Sequence, residues 1–260
     1  MLTDRQIRLA LWLALLTTAN ANRRRFGLRT TWLPHTLGNT LALALPEIAA
    51  ALDAAATRLD PDSSTLLALT HTAREVTGDP PGWAKTVAPL TLAYVVSHPR
   101  FNIYRGKWGE LRLGPFGLDS IPHSATGYTV SALLYRSVDA LARNTPSDAW
   151  LAPLARFLAE HRVAVSFSVL AGLSLFYEYS EYSIHNQELA ETGGDIERIN
   201  MMWDIGDTAK DVLSNYLGWL AATLLNRTPS ETDAVPDSSA STAASAIGST
   251  HPAPGTVPAR

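Results

Sequence analysis

Six long apolar segments limit what this chain can fold into. Apolar side chains recur in them with helical spacing, at residues 6–22, 32–56, 85–98, 121–142, 163–180 and 206–226. The alternation typical of a β-strand is scarce, and its best candidate is the stretch "GELRLGPFGL" at 109–118. The sequence therefore predicts an all-α fold.

Turn residues and low-complexity sequence divide the chain further. The stretches "RLDPDSS" at 58–64 and "GDPPGW" at 78–83 bracket a short amphipathic helix, and residues 145–148 open another amphipathic stretch. From 228 onward Ser, Thr, Ala, Pro and Gly dominate, with too little apolar surface to offset the entropy of ordering. The sequence predicts one helical domain over 1–227 and a disordered tail over 228–260.

Composition excludes several classes of function. The net charge is −3, and the one basic cluster, Arg23–Arg25, is too short for a nucleic-acid surface, so no nucleic-acid partner is expected. The chain has no cysteine, which excludes disulfides, thiolate metal sites and cysteine nucleophiles. It also lacks GxSxG, Walker-type and HExxH motifs. Nothing in the composition predicts a protein partner.

The charges of the loops favour a membrane arrangement. With Arg23–Arg29 inside, the acid-rich loop after the second segment lies outside, and the basic stretch "HPRFNIYRGKWGELR" at 98–112 returns inside. Cytoplasmic loops carry an excess of Lys and Arg, and tryptophan is enriched at membrane interfaces, where most of the seven tryptophans would fall. The sequence predicts a multi-pass cell-membrane protein of about five to six helices, with lipids as partners.

A soluble helical bundle is the alternative. The mean hydropathy of +0.01 is low for a multi-pass protein, and no segment offers a clean run of ~20 residues without polar side chains. The first apolar segment also has some features of a secretory signal. Three arginines directly after it argue against cleavage, so we expect it to be retained as a helix.

Polar residues line up on the helices where a site would form. Glu178, Glu181 and His185 are spaced i, i+3, i+7 and share one helical face. The same rule aligns four residues at the start of the last helix, Asp204, Asp207, Asp211 and Asn215. By contrast, Glu188, Glu191, Asp195 and Glu197 are assigned to a solvated polar loop.

A third segment brings a histidine to the same end. His123 follows Asp119 by one helical turn, and in the six-helix topology it meets the other two polar faces at the cytoplasmic side. Ionisable groups at a membrane usually serve a function. Carboxylates with histidine suit a divalent ion such as Mg²⁺, Mn²⁺ or Zn²⁺, and they suit equally a proton relay or a cationic head group. A purely structural role, as helix ends and N-caps, is the other interpretation.

These residues take distinct roles in the metal hypothesis. His123 or Glu178 would be the general base. The expected metal ligands are Glu181, His185, Asp204, Asp207 and Asp211. Asp119 and Asn215 are assigned as further polar residues of the site.

The motif order resembles a family of bacterial membrane proteins. The motifs occur in the order Asp119-x3-His123-x3-Gly127, "FYEYSE" at 176–181 and "MWDIGDTAKDVLSNYLG" at 202–218. This order is similar to that of the VanZ-like group, and of its uncharacterised YjdF-type branch. The resemblance covers about residues 115–226 and implies a multi-pass helical membrane protein with these polar residues at its motif positions. The branch supplies no chemistry to carry over.

Three functions follow as hypotheses. The first is a membrane protein with a carboxylate and histidine site at the cytoplasmic face, metal-dependent and linked to lipid or envelope chemistry. The second is a non-catalytic membrane component that binds an ion or partner. The third is a soluble helical-bundle metalloenzyme. Whether the protein is an enzyme is left open.

Overall fold

The chain folds into helices joined by short loops. The computed structural model describes residues 2–60, 62–78, 82–114 and 116–226, so the predicted tail at 228–260 lies outside the described residues. The α-helices in this part of the chain are α1 Asp4–Phe26, α2 Leu33–Leu59, α3 Ser64–Gly78, α4 Trp83–Val95, α5 Gly106–Gly109, α6 Ser120–Asn144, α7 Ala152–Glu160, α8 Arg162–Glu191 and α9 Ile205–Leu225. The all-helical prediction is confirmed.

The only strands among the described residues form a small hairpin. Strand β1 (Arg112–Leu113) pairs antiparallel with β2 (Phe116–Gly117), with Arg112 opposite Gly117. Short 3-10 turns lie at Arg29–Thr31 and Ile196–Arg198. The hairpin falls within the stretch that the sequence marks as its best strand candidate.

The six predicted apolar helices correspond to α1, α2, α4, α6, α8 and α9. Their ends differ most at α8, which continues to Glu191 instead of ending near 180. The last helix begins at Ile205, where the Asp204 side chain accepts hydrogen bonds from the Gly206 and Asp207 N–H groups. At α1, Thr3 and Gln6 form a capping box, and Gly27 ends the helix with φ 80°.

Helix α6 is the central element of the bundle. It packs most extensively against α9 and also contacts α3, α4, α7 and α8. An apolar core joins α1, α2 and α4 through Leu15, Leu43, Val87 and Tyr94, and Ala140 of α6 belongs to it. The N-terminal segment thus packs as a helix within the bundle.

Leucines point outward and small or polar residues point inward. On α2, Leu37 and Leu41 are 57% and 61% exposed, and on α9 the stripe Leu213, Leu217, Leu220 and Leu224 is about half exposed. Inside the bundle, Ser131, Ser166, Ser214 and Thr91 are fully buried. Soluble proteins usually place these residue types the other way round.

Two helical spans among the described residues are long and apolar enough to cross a membrane, at Arg29–Leu59 and Arg162–Glu191. The other predicted segments are not among them. Helix α4 has 13 residues, about 20 Å of helix, against ~30 Å of bilayer core. A bundle of five or six spans is therefore not established by helix length and composition.

The tryptophans follow the predicted interfacial belt only in part. Trp32, Trp83 and Trp203 lie at or next to the starts of helices. Trp12 and Trp219 lie within helices, and their indole N–H groups donate to Thr40 at 3.1 Å and Ser166 at 3.0 Å. These two residues join helices inside the bundle, because a buried indole N–H needs an acceptor.

Candidate functional site

Two glycines set the close approach of α6 and α9. A Cβ atom on Gly127 would lie 2.9 Å from the Asn215 Cα, and one on Gly218 would lie 2.6 Å from the Tyr128 backbone nitrogen. The two backbones are therefore in direct contact, which small residues permit. His123 lies one turn before Gly127, and Asp211 lies two turns before Gly218. The crossing places the His123 Nε2 3.5 Å from the Asp211 Oδ1.

Polar contacts join α8 to α9 along the same side. The Thr208 hydroxyl donates to the Glu178 Oε2 at 2.8 Å, and the Asn215 amide donates to the Ser174 hydroxyl at 3.1 Å. Ser174 and Glu178 are one turn apart on α8, as are Asp211 and Asn215 on α9. Because the helices run antiparallel, these four side chains form a polar seam next to His123.

Six ionisable residues converge here and form the carboxylate–histidine cluster. Asp211 interacts electrostatically with Asp207, Asp119, Glu178 and Glu181, and His123 with Asp119 and Asp207. The members of the cluster are Asp119, His123, Glu178, Glu181, Asp207 and Asp211. Three helices, α6, α8 and α9, supply them at the same end of the bundle.

Few positive charges balance these carboxylates. The Lys210 Nζ lies 3.4 Å from the Asp207 Oδ1, and both side chains are partly exposed. The Arg112 guanidinium and the Asp119 carboxylate both lie against Gly117. Among the described residues, the cluster thus has more carboxyl groups than basic side chains, and like charges at short range repel each other.

Three buried oxygen atoms in the seam lack a donor among the described residues. They are the Glu178 Oε1, the Asp211 Oδ1, which lies 3.5 Å from the His123 Nε2 without a hydrogen bond, and the Asn215 Oδ1. Glu178 and Asp211 are each 6% exposed, and Asn215 is 8% exposed. Buried polar atoms without partners are rare and costly, so an incoming donor or cation would be bound favourably here.

Two predicted metal ligands lie outside the cluster. The ring of His185 hydrogen-bonds through its Nδ1 to the Met201 carbonyl at 2.9 Å, which ties α8 to the following loop. Asp204 is exposed and caps α9, with its Oδ1 2.8 Å from the Gly206 nitrogen. Both side chains have structural partners that helical spacing alone does not reveal.

The assignment of Glu188 to a solvated loop is wrong. Glu188 lies on α8 and is 1% exposed. Its carboxylate accepts hydrogen bonds from the Thr30 hydroxyl at 2.7 Å and from the Asn200 and Met201 N–H groups at 2.8 and 2.9 Å. The error arose because α8 extends eleven residues beyond its predicted end.

Two tyrosines at the site were not predicted. Tyr177 lies one turn before Glu181 on α8 and interacts with its carboxyl group. Desolvation, together with the negative charges of Glu181, Asp211 and Asp119, raises the pKa of Tyr104 above its usual value. The "FYEYSE" motif contains Tyr177, but Tyr104 lies in a distant loop and only folding brings it near.

The donor atoms do not form a ready metal centre. Within the described part of the chain, no three His, Asp or Glu side chains are grouped so that they could hold a metal ion. The carboxylates approach one another, but their oxygens do not share a coordination geometry. A divalent metal therefore has no support beyond the residue types.

Comparison with known proteins adds no assignment, because no family model, curated protein or solved structure matches the chain. The resemblance to VanZ-like membrane proteins stays a prediction that rests on the motif residues. Of these, Asp119, His123, Glu178 and Asp211 lie within the cluster described above.

Proposed function

We propose that the chain is a multi-pass helical protein of the cell membrane, whose carboxylate–histidine cluster binds a cation at the cytoplasmic ends of its helices. Lipid or cell-envelope chemistry is the role that this position favours. The observation that carries the proposal is the reversed burial of side chains, with leucine outside and serine, threonine and carboxylates inside.

The outward leucines support a lipid environment on energetic grounds. Leu37, Leu41 and Leu45 follow one another at four-residue spacing along α2, so their exposed surfaces form a continuous stripe. In water such surface costs about 25 cal/mol per Å², whereas in lipid it costs nothing. Contiguous apolar surface of this kind is typical of membrane or protein interfaces, and it disfavours the soluble metalloenzyme alternative.

Basic residues support the orientation. Arg23, Arg24, Arg25, Arg100 and Lys107 are exposed near the helix ends that carry the cluster. At this end of the bundle, Arg105 connects three parts of the chain. Its guanidinium donates to the Ile199 carbonyl, before α9, and lies over the ring of Phe26, at the end of α1. An excess of Lys and Arg marks the cytoplasmic side.

The charge balance of the cluster supports cation binding. Five carboxylates face one imidazole, Lys210 and the nearby Arg112. No group of three His, Asp or Glu side chains among the described residues is arranged to hold a metal ion, so we assign no metal to the site. His123 pairs with Asp211, which orients its ring, and Glu178 has an unpartnered oxygen, so these two residues are the candidate proton acceptors.

A non-catalytic role is the second candidate. The hydrogen bonds from Thr208 to Glu178 and from Asn215 to Ser174 join α8 to α9, so the polar seam also holds the bundle together. In that role the cluster binds an ion that fastens three helices and performs no reaction.

Cysteine labelling tests the membrane topology. The chain contains no cysteine, so Ser147→Cys and Lys107→Cys each give a single thiol at an exposed position at opposite ends of the bundle. In intact cells a membrane-impermeant maleimide should label the Ser147→Cys variant only, and Lys107→Cys should react after lysis.

Extraction of membranes provides the control for this experiment. The protein should stay in the pellet through an alkaline carbonate wash and dissolve in detergent. Release without detergent, or equal labelling of both cysteines in intact cells, contradicts the membrane proposal.

A further inference from the structure

Three buried acceptor atoms of the polar seam have no hydrogen-bond donor among the described residues. The Glu178 Oε1, Asp211 Oδ1 and Asn215 Oδ1 accept no hydrogen bond from any described residue. Asn215 is not an acid, and its amide nitrogen already donates to Ser174 at 3.1 Å. Its unpartnered oxygen is thus an independent sign of a missing donor, beyond the accumulation of negative charge.

We infer that the carboxylate–histidine cluster binds a primary ammonium group, such as that of an aminoalkyl phospholipid head group. This inference rests on the proposed cation site and specifies its ligand. A primary ammonium carries one positive charge and three N–H donors. It therefore matches the carboxyl groups of the cluster and supplies donors to its unpartnered acceptors.

Other cations match the site less well. A quaternary ammonium has the charge but no N–H group, so it would leave the acceptors unpartnered. Mg²⁺ requires near-octahedral oxygen ligands at about 2.0–2.1 Å, and no group of three His, Asp or Glu within the described residues is arranged for a metal. The amide oxygen of Asn215 is an ordinary acceptor for an N–H donor.

The rim of the cluster fits the rest of such a head group. Lys210 is 40% exposed next to Asp207, and the exposed Arg112 lies near Asp119. A phosphodiester attached to the ammonium would find these positive charges at the edge. The outward leucine stripe of α9 begins beside Lys210, so the acyl chains could remain in the lipid.

Thermal unfolding of the purified full-length protein in mild detergent tests the ammonium. Methylammonium chloride should raise the melting temperature and saturate, whereas tetramethylammonium chloride at equal ionic strength should have no effect. Asp211→Asn and Glu178→Gln should each raise the half-saturating methylammonium concentration at least about tenfold, because each weakens a charge-assisted hydrogen bond. Asp204→Asn removes a nearby charge outside the cluster, keeps the helix cap, and should respond as wild type does.

Nanodiscs distinguish the two sources of the ammonium. Phosphatidylethanolamine should stabilise the wild-type protein more than phosphatidylcholine does, and Asp211→Asn should lose that difference. Stabilisation by methylammonium without a lipid difference assigns a free amine as the ligand.

Equal effects of methylammonium and tetramethylammonium overturn the inference, as does a response to Mg²⁺ alone; both leave the proposed cation site intact. No response to any cation overturns the cation site as well. The carbonate wash tests the membrane proposal separately.

Discussion

Asp211, Asp204 and Glu188 have different surroundings within one acidic stretch. Asp211 is buried beside His123 and interacts with four other carboxyl groups. Asp204 is exposed and serves the first turn of α9. Glu188 is buried but satisfied by three donors. Of these three residues, only Asp211 is buried and also has an oxygen without a hydrogen bond. Its surroundings therefore locate the candidate site.

Replacement of Glu188 should loosen the loop between α8 and α9. In Glu188→Ala the Asn200 and Met201 N–H groups lose their acceptor, at about 1–3 kcal/mol for each buried donor. We expect the free energy of unfolding in mild detergent to fall by about 2–4 kcal/mol, and proteolysis at 192–203 to accelerate.

Glu191→Ala is the matched control on the same helix, because Glu191 is exposed and, among the described residues, accepts a hydrogen bond only from Gln187 one turn away. Its unfolding free energy should change by less than about 0.5 kcal/mol. Equal effects of the two alanine variants would show that Glu188 does not anchor the loop.

Two glycines allow helices α6 and α9 to cross closely. The contact of α6 with α9 at Gly127 and Gly218 leaves no room for a methyl group. His123, Asp211 and Asn215 lie within two turns of this contact, so the distance between the backbones fixes how the polar side chains meet. The close packing of α6 against α9 therefore determines how the polar side chains of the site are arranged.

Gly127→Ala should separate α6 from α9. Overpacking against backbone atoms costs about 1–3 kcal/mol, so the melting temperature in detergent should fall. Because the His123 to Asp211 pair depends on the crossing, stabilisation by methylammonium should weaken too.

Gly172→Ala is the corresponding control within α8, where an added Cβ meets no atom within 4 Å. It should be neutral or stabilise by up to about 1 kcal/mol, because alanine favours helix over glycine. If Gly127→Ala behaves as Gly172→Ala does, the close crossing is not required.

The molecule as a whole exposes stripes of leucine and buries many serine, threonine and carboxyl side chains beside its apolar core. Leu217 belongs to the exposed stripe on α9, near the middle of that helix, whereas Leu59 is exposed at the end of α2. In lipid, a charged side chain near the middle of a helix raises the free energy of membrane insertion. At a helix end, the long Arg side chain can reach the interface instead. In water both positions would accept Arg with little effect.

Leu217→Arg should therefore impair membrane insertion. A central arginine costs about 2.5–3.5 kcal/mol on insertion scales, so the fraction of protein in the carbonate-resistant pellet should drop. Leu59→Arg should leave that fraction unchanged. Wild-type behaviour of both variants would instead favour a surface exposed to water.

The sequence by itself determined the helices and the end of the bundle where polar residues gather. Both follow from local rules: helical spacing sets which residues share a face, and antiparallel order sets which helix ends meet. It therefore placed His123, Glu178, Asp207 and Asp211 together. It did not reveal the loop contacts of Glu188 and His185, because helix α8 extends further than the apolar pattern and its polar end binds a loop.

The tertiary structure alone decided which of these polar atoms have partners. The Gly127 and Gly218 crossing brings His123 to Asp211, and the pairing of Asn215 with Ser174 leaves one amide oxygen without a donor. Such pairings depend on ångström-scale distances between residues far apart in the chain. Spacing along a helix contains no information about them, since the same stripe of carboxylates is compatible with solvated, capped or buried side chains.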